Sequence, residues 1–286
     1  MDRSDLLTWE GIRSLAHCEA LNLGPEMRLA QTDLARPVIK WRHQYHWAHR
    51  VVPRVPRAGE IVHARVAWQA PWRAQILAAV TEPIVIVSSF YDYLIQDHAT
   101  AEIFQHGSPV AHWFAVQANT THPQLTAMPI GIEGSMVPHI QAGVGRTERD
   151  ILLYLNFQER SLERHRLWKR FAPLPWVTAD RWAPGGEAHY VAQLGRSKFV
   201  LSPPGNGWDC YRTYEAIAMG AIPIVLRRRP ISNVCETLPV LLVDDWAEVT
   251  PARLRAEWEH RQPKDTRTLT MTYWRERIQG MAKSVM

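Results

Sequence analysis

Between Ser202 and Glu215 the chain reads SPPGNGWDCYRTYE, a stretch whose side chains suit phosphate and ribose. The planar guanidinium of Arg212 can fork onto a phosphate. Glu215, one helical turn later, can accept hydrogen bonds from two ribose hydroxyls. Gly205 and Gly207 let the backbone come close to a ligand, with Ser202 and Asn206 beside them as polar contacts. Together these residues describe a nucleotide diphosphate site. The plainer alternative is a tight turn followed by a solvated Arg212–Glu215 pair at i,i+3, worth a few tenths of a kcal/mol.

The flanking residues dictate the elements that would hold such a site. Phe199–Ser202 is a short apolar run closed by Pro203 and Pro204, the pattern of a buried strand opening into a loop. Asp209 is a candidate N-cap, Tyr211–Met219 has helical spacing, and Gly220 suits the helix end. Ala221–Leu226 is an unbroken apolar run, as in a parallel sheet covered on both faces. A glycine loop leading from a strand into a helix amino terminus offers free N–H groups and the positive end of a dipole to an anion.

The run S-K-F-x-L-x-P-x-G, followed by R-x-x-E-A-x-x-x-G-x-I-P-I-V, resembles the exostosin-like glycosyltransferases, densely from Tyr190 to about Trp246. Ala221 stands where that family often has cysteine, and Pro204 where a basic residue is common. The resemblance implies an α/β fold of two facing Rossmann-like domains (the GT-B type), with the donor in the second domain. It implies that Arg212 contacts the diphosphate and Glu215 the ribose of a nucleotide sugar, with UDP-sugar favoured and inversion at the transferred carbon. The donor is a substrate, so no cofactor is expected. A strand from Asp150, ILLYLNF, ending at Asn156 and followed by Arg160, resembles the first strand and phosphate-facing arginine of such transferases. For Arg164, Arg166, Lys169 and Arg170 a solvated helix face is the preferred reading.

Length and composition agree with this division. A chain of 286 residues accommodates two ordinary domains, placed at 1–149 on the acceptor side and 150–286 for the nucleotide sugar. Apolar content of 46% with 21% charged residues argues against disorder. The net charge of +5 favours an acidic ligand, and a sugar nucleotide satisfies it as well as nucleic acid does. Cys18, Cys210 and Cys235 lack paired or metal-type spacing, so a reduced cytoplasmic setting is the default. No leader or membrane-length apolar run is visible, unlike the anchored animal exostosins, and the chain looks like a soluble bacterial or viral relative.

The acceptor side carries less chemistry. Pro83–Ser89 reads as a buried strand, and Asp92 just beyond it is the candidate base for the acceptor hydroxyl. A helix cap is an equal reading of Asp92. His106, His112 and His122 compete for the same role and are each more ordinarily structural. Trp113–Val116 and Met128–Ile132 read as further strands, Glu133 follows the last, and 136–149 reads as a linker. No D-x-D pair ends a strand, so metal dependence is not expected. The aromatic and basic residues of 38–57 suit a solvated face, or else nucleic acid. They support one alternative function, transfer of a sugar to a hydroxymethylated DNA base. A second alternative is a non-catalytic nucleotide-sugar-binding module. A dinucleotide oxidoreductase ranks last because G-x-G-x-x-G is missing.

Overall fold

The computed structural model describes residues 3–16, 18–20, 57–64, 80–88, 94–143, 148–181, 186–228, 231 and 234–286. Asp92 and residues 38–56 of the aromatic-basic segment lie outside them. The chain divides into two compact units, Met1–Gly11 with Pro129–Trp274 and Ile12–Met128 with Arg275–Met286.

The smaller-numbered sheet has β1 (Cys18–Ala20), β2 (Ile61–Ala64), β3 (Ile84–Ser88), β4 (Val110–Ala115) and β5 (Leu125–Ala127), all parallel and in sequential order. Helices α1 (Trp9–Arg13) and α2 (Asp97–Ile103) belong to this half of the sequence. Ile84, Ile86, Ile103, Val110 and Trp113 form its buried core. β5 lies earlier than the apolar run Met128–Ile132 suggests. Only the first residue of that run continues the ladder, the amide of Met128 donating to Ala115 at the end of β4, while that of Ile130 donates to the Asp209 carboxylate and that of Ile132 to Leu7.

In the other unit, α3 (Val137–Ala142) precedes β6 (Ile151–Leu155), α4 (Leu162–Phe171), β7 (Val177–Ala179), α5 (Gly186–Arg196), β8 (Ser197–Leu201), α6 (Tyr211–Ala218), β9 (Ile222–Leu226), β10 (Leu241–Val243) and α7 (Pro251–Glu259). The last helix is α8 (Met271–Ser284). The five strands run parallel in the order β10-β9-β8-β6-β7. Their side chains alternate between two covered faces, as a parallel sheet requires. Leu153, Leu155, Phe199, Leu201 and Ile224 meet Leu167, Trp168 and Phe171 of α4, while Tyr154 and Val200 point the other way and are also buried.

The boundary at 149/150 expected from sequence is therefore not where the compact units part. Residues 129–149, and the first eleven residues, belong with the second sheet. Hydrogen bonds account for this: the Leu7 amide donates to Leu269, the Arg3 guanidinium to Ala218, Ile140 and Gly143, and the Thr272 amide to Asp5. Among the described residues no helix is long and apolar enough to cross a membrane.

Candidate nucleotide site

The strand order of the second sheet reverses between β6 and β8: the chain goes from β6 outward to β7, then returns to β8 on the other side. Loops leaving the carboxyl ends of two such strands part in opposite directions, and the crevice between them is where open α/β sheets bind ligands. Here those loops are Asn156–Ser161 after β6 and Ser202–Cys210 after β8. They carry every donor-site residue expected from sequence except Arg212 and Glu215, which lie on α6 directly beyond the second loop.

Within the β8 loop, the Ser202 hydroxyl lies 3.0 Å from that of Thr213, which pins the strand end to α6. The Gly205 amide donates to Gly207 at 2.8 Å, curling the loop, and Asn206 sits exposed at its tip. Gly205 is required by a close approach. A Cβ there would lie 3.0 Å from Arg164 Nη2 and 3.3 Å from Cys210 Sγ.

Arg164 is the main correction to the sequence reading, which left it on a solvated face. It is only 9% exposed. Its Nε donates to Pro204 O at 2.7 Å, Nη2 to Pro203 O and Nη1 to Gln158 O, both at 3.3 Å. One guanidinium thus fixes both loops of the crevice. Burial lowers its hold on the proton, and the neighbouring positive charge of Arg212 adds to this. Helical spacing carries the signal that finds it: Arg164, Leu167, Trp168 and Phe171 share one face of α4, and all are buried. Ser161 caps that helix, accepting from the Arg164 amide at 3.2 Å. Arg160 is exposed on the loop just before the cap, close enough for its charge to act on Arg164.

Arg212 reaches the other loop, its Nε donating to Asn156 O at 2.7 Å. Its Nη1 is buried and has no hydrogen-bond partner among the described residues. The ring of Phe157 is near both cations, 5.5 Å from the guanidinium carbon of Arg212 and 5.8 Å from that of Arg164. An aromatic ring near two like charges softens their repulsion, but an anion would do more. The Asn156 side chain itself is buried, donating to the Tyr154 hydroxyl at 2.9 Å.

Helix α6 starts from an extended Cys210, not from Asp209, and Cys210 gives it no side-chain cap. Asp209 is instead buried, at 3% exposure, with Oδ2 accepting from the Ile130 amide at 2.8 Å. Burial pushes its carboxyl up to about 7, partly offset by the nearby Tyr214 side chain and by the Ile130 and Cys210 backbones.

Glu215 faces inward at 5% exposure and accepts from the Tyr190 hydroxyl at 2.9 Å. Burial raises its carboxyl to about 7, against the pull of Tyr190 and Arg212. Glu133, half-buried, adds its own negative charge to Glu215, and burial and the charge of Glu10 raise Glu133 in turn. Tyr190 carries no sequence signal of its own beyond its place on an amphipathic helix.

The family comparison falls on this half of the chain. Residues 176–285 match the RXYLT1 C-terminal domain, an exostosin-like xylosyltransferase family. The matched segment includes Ser202 through Glu215 but begins after Asn156, Arg160 and Arg164. A search of curated proteins finds no match. Among solved structures the chain is similar to α,α-trehalose-6-phosphate synthase from Burkholderia multivorans, at 12% identity over 79% of this chain and 72% of that one, with a TM-score of 0.48. It is also similar to the pneumococcal O-GlcNAc transferase GtfA in complex with UDP and GlcNAc, at 10% identity over 80% and 54% of the two chains, with a TM-score of 0.38. A UDP-forming α,α-trehalose-phosphate synthase from Burkholderia vietnamiensis gives 10% identity, 78% and 68% coverage, and a TM-score of 0.40.

Of the three histidines weighed as bases, His112 is buried against Thr126 at 2.8 Å and His122 is stacked on Phe104 at 4.3 Å. His106 is exposed. Asp244 and Asp245 follow β10, and Asp245 forms a capping box with Glu248.

Proposed function

We propose that this protein is a glycosyltransferase that moves a sugar from a nucleotide diphosphate sugar, UDP-sugar favoured, to a hydroxyl acceptor, with inversion. The observation that carries the reading is the buried, unpartnered Nη1 of Arg212 at the strand-order reversal between β6 and β8. A cation half-enclosed beside a second buried cation is costly unless an anion completes it. In this reading the diphosphate lies over the amino terminus of α6, with Arg212 on its oxygens and Arg164 holding the loop in place. The match to an exostosin-like family over Ser202–Glu215 supports the same assignment.

The roles then follow. As the bond from the sugar to the β-phosphate breaks, charge grows on the diphosphate. Arg212 and the helix amides stabilise it without rearranging, as preorganised dipoles do. Glu215 receives the ribose hydroxyls alongside Tyr190. The acceptor oxygen attacks the anomeric carbon and gives up its proton, for which Asp92 is the proposed base.

A thermal-shift panel of UDP, GDP, CDP, ADP and dTDP, with and without magnesium or manganese, tests the donor site. UDP should raise the melting midpoint of the wild type, by mass action on the folded state, and should lose that effect in Arg212→Ala. Stabilisation by no nucleotide, or by all of them equally in both proteins, would overturn the reading. Release of free sugar from UDP-sugar by the wild type argues against a binding module without turnover.

A further inference from the structure

The same unit has a second concave surface, on the opposite edge of its sheet. In a parallel sheet all amino ends share one edge, and the segment Ala218–Ile222 enters β9 there, as does Pro239 ahead of β10. These residues line a cavity of about 700 Å³. Its charged lining residues are Arg3, Arg149, Arg261 and Lys264, with no aspartate or glutamate among them.

Helix capping explains part of this. Arg149 donates through Nη1 to Leu194 O at 3.2 Å and Ser197 O at 2.7 Å, and through Nη2 to Met219 O at 2.7 Å. Arg3 donates to Ala218 O and Gly143 O. Cations at the carboxyl ends of α5 and α6 are expected there.

Capping explains Arg261 only in part, through its Nη1 donating to Trp258 O in the last turn of α7, and does not explain Lys264. Arg261 and Lys264 are exposed residues of the segment after α7, brought to a cavity that already holds two guanidiniums. Arg261 lies over the Trp258 ring at 3.7 Å, which fixes where its charge sits. Lys264 forms no ion pair among the described residues. Arg149 feels the crowding: burial, then the charges of Arg261 and Arg3, all lower its hold on the proton. Like charges gathered in one hollow without a compensating acid describe an anion site.

We propose that this cavity binds a small polyanion carrying two or more phosphate groups, at a site separate from the nucleotide crevice. Its volume lies in the range of small-ligand pockets, about 300–1,000 Å³. A nucleic acid would instead call for a long basic stripe. Several guanidiniums in a lining without an acid ask for more than one negative charge, and guanidinium donors match phosphate oxygens in pairs.

Titration calorimetry with tripolyphosphate as the probe tests this on the full chain. The capping residues are left intact, and the exposed pair is reversed in Arg261→Glu/Lys264→Glu. Circular dichroism and the melting midpoint confirm that this variant is folded. Tripolyphosphate should bind the wild type and Arg212→Ala alike, and should bind the double variant at least about tenfold more weakly, a loss of about 1.4 kcal/mol. Unchanged affinity in the double variant would overturn the proposal. So would loss of binding in Arg212→Ala alone, which would place the probe in the nucleotide crevice, or absence of binding to the wild type. Binding of a short oligothymidylate without tripolyphosphate would also overturn it, in favour of a nucleic-acid surface. Because UDP binding is followed separately through Arg212, the two readings can fail independently.

Discussion

The Nε of Arg212 donates to the backbone carbonyl of Asn156 at 2.7 Å, joining the first turn of α6 to the end of β6 across the place where the strand order reverses. The same guanidinium therefore has one arm on the protein and one left for a ligand. A lysine cannot do both, since its ammonium lacks the planar fork. Arg212→Lys is expected to weaken UDP by about tenfold to a hundredfold, the loss of one charge-assisted bond of roughly 1.5–3 kcal/mol. Equal affinity for UDP in calorimetry would mean that the fork is not used.

Arg164 gives a contrasting expectation. Its three donors all end on carbonyls of the two loops. Arg164→Ala leaves the carbonyls of Pro203 and Pro204 without this partner and should cost on the order of 3 kcal/mol in urea unfolding. Arg164→Lys should recover only part of that, and nucleotide affinity should fall with both because the loop is no longer held. A variant that keeps wild-type stability would show that the loop holds itself.

Stability without ligand should depend on pH through Glu215 and Asp209. Both carboxyls are raised to about 7 in the fold, from 4.5 and 3.8. Between the unfolded and folded values the native state holds more protons, so their contribution is complete at low pH and is lost as pH rises to 7 and beyond. The unfolding free energy of the wild type should fall between about pH 5 and pH 8 relative to Glu215→Gln and Asp209→Asn, each of which removes part of the slope. Parallel pH profiles for all three proteins would contradict the buried-carboxyl description.

At Gly220 two constraints coincide. Its φ is +79°, and a Cβ there would meet Arg149 Nη2 at 2.6 Å. Gly220→Ala should destabilise by about 1–3 kcal/mol, from backbone strain and displacement of a guanidinium that ties α5 to α6. Thermal melts of this variant beside Gly280→Ala, a helical position with open space around it, separate the effect from that of glycine replacement in general.

The second sheet is legible in the sequence because β6 and β9 are unbroken apolar runs closed by Asn156 and Arg227, and β8 is apolar from Phe199 to Leu201 ahead of Ser202 and two prolines. Local rules suffice there. Met128–Ile132 is just as apolar yet forms no strand of its own, since only Met128 continues the pairing with Ala115 of β4, and Ile130 and Ile132 turn to Asp209 and Leu7. Arg164 was hidden by charge: a basic helix suggests a wet face, and only its spacing with Leu167, Trp168 and Phe171 points inward. Asp209 shows the same competition, because a residue suited to capping α6 is drawn instead to an amide 79 positions away. In each case a distant backbone group outweighs the local preference.

The pairing of Asp5 with the Thr272 amide spans 267 residues. During synthesis, this contact must therefore wait while residues 12–128 of the other unit and all five strands of its own sheet are made. The entropy of closing so long a loop grows only with the logarithm of its length, so the wait adds little to the equilibrium cost. It does affect timing, because remote contacts form late. Until Thr272 emerges Asp5 lacks this partner, whereas Arg3 and Leu7 of the same segment meet Gly143, Ala218 and Ile132, which are made far earlier.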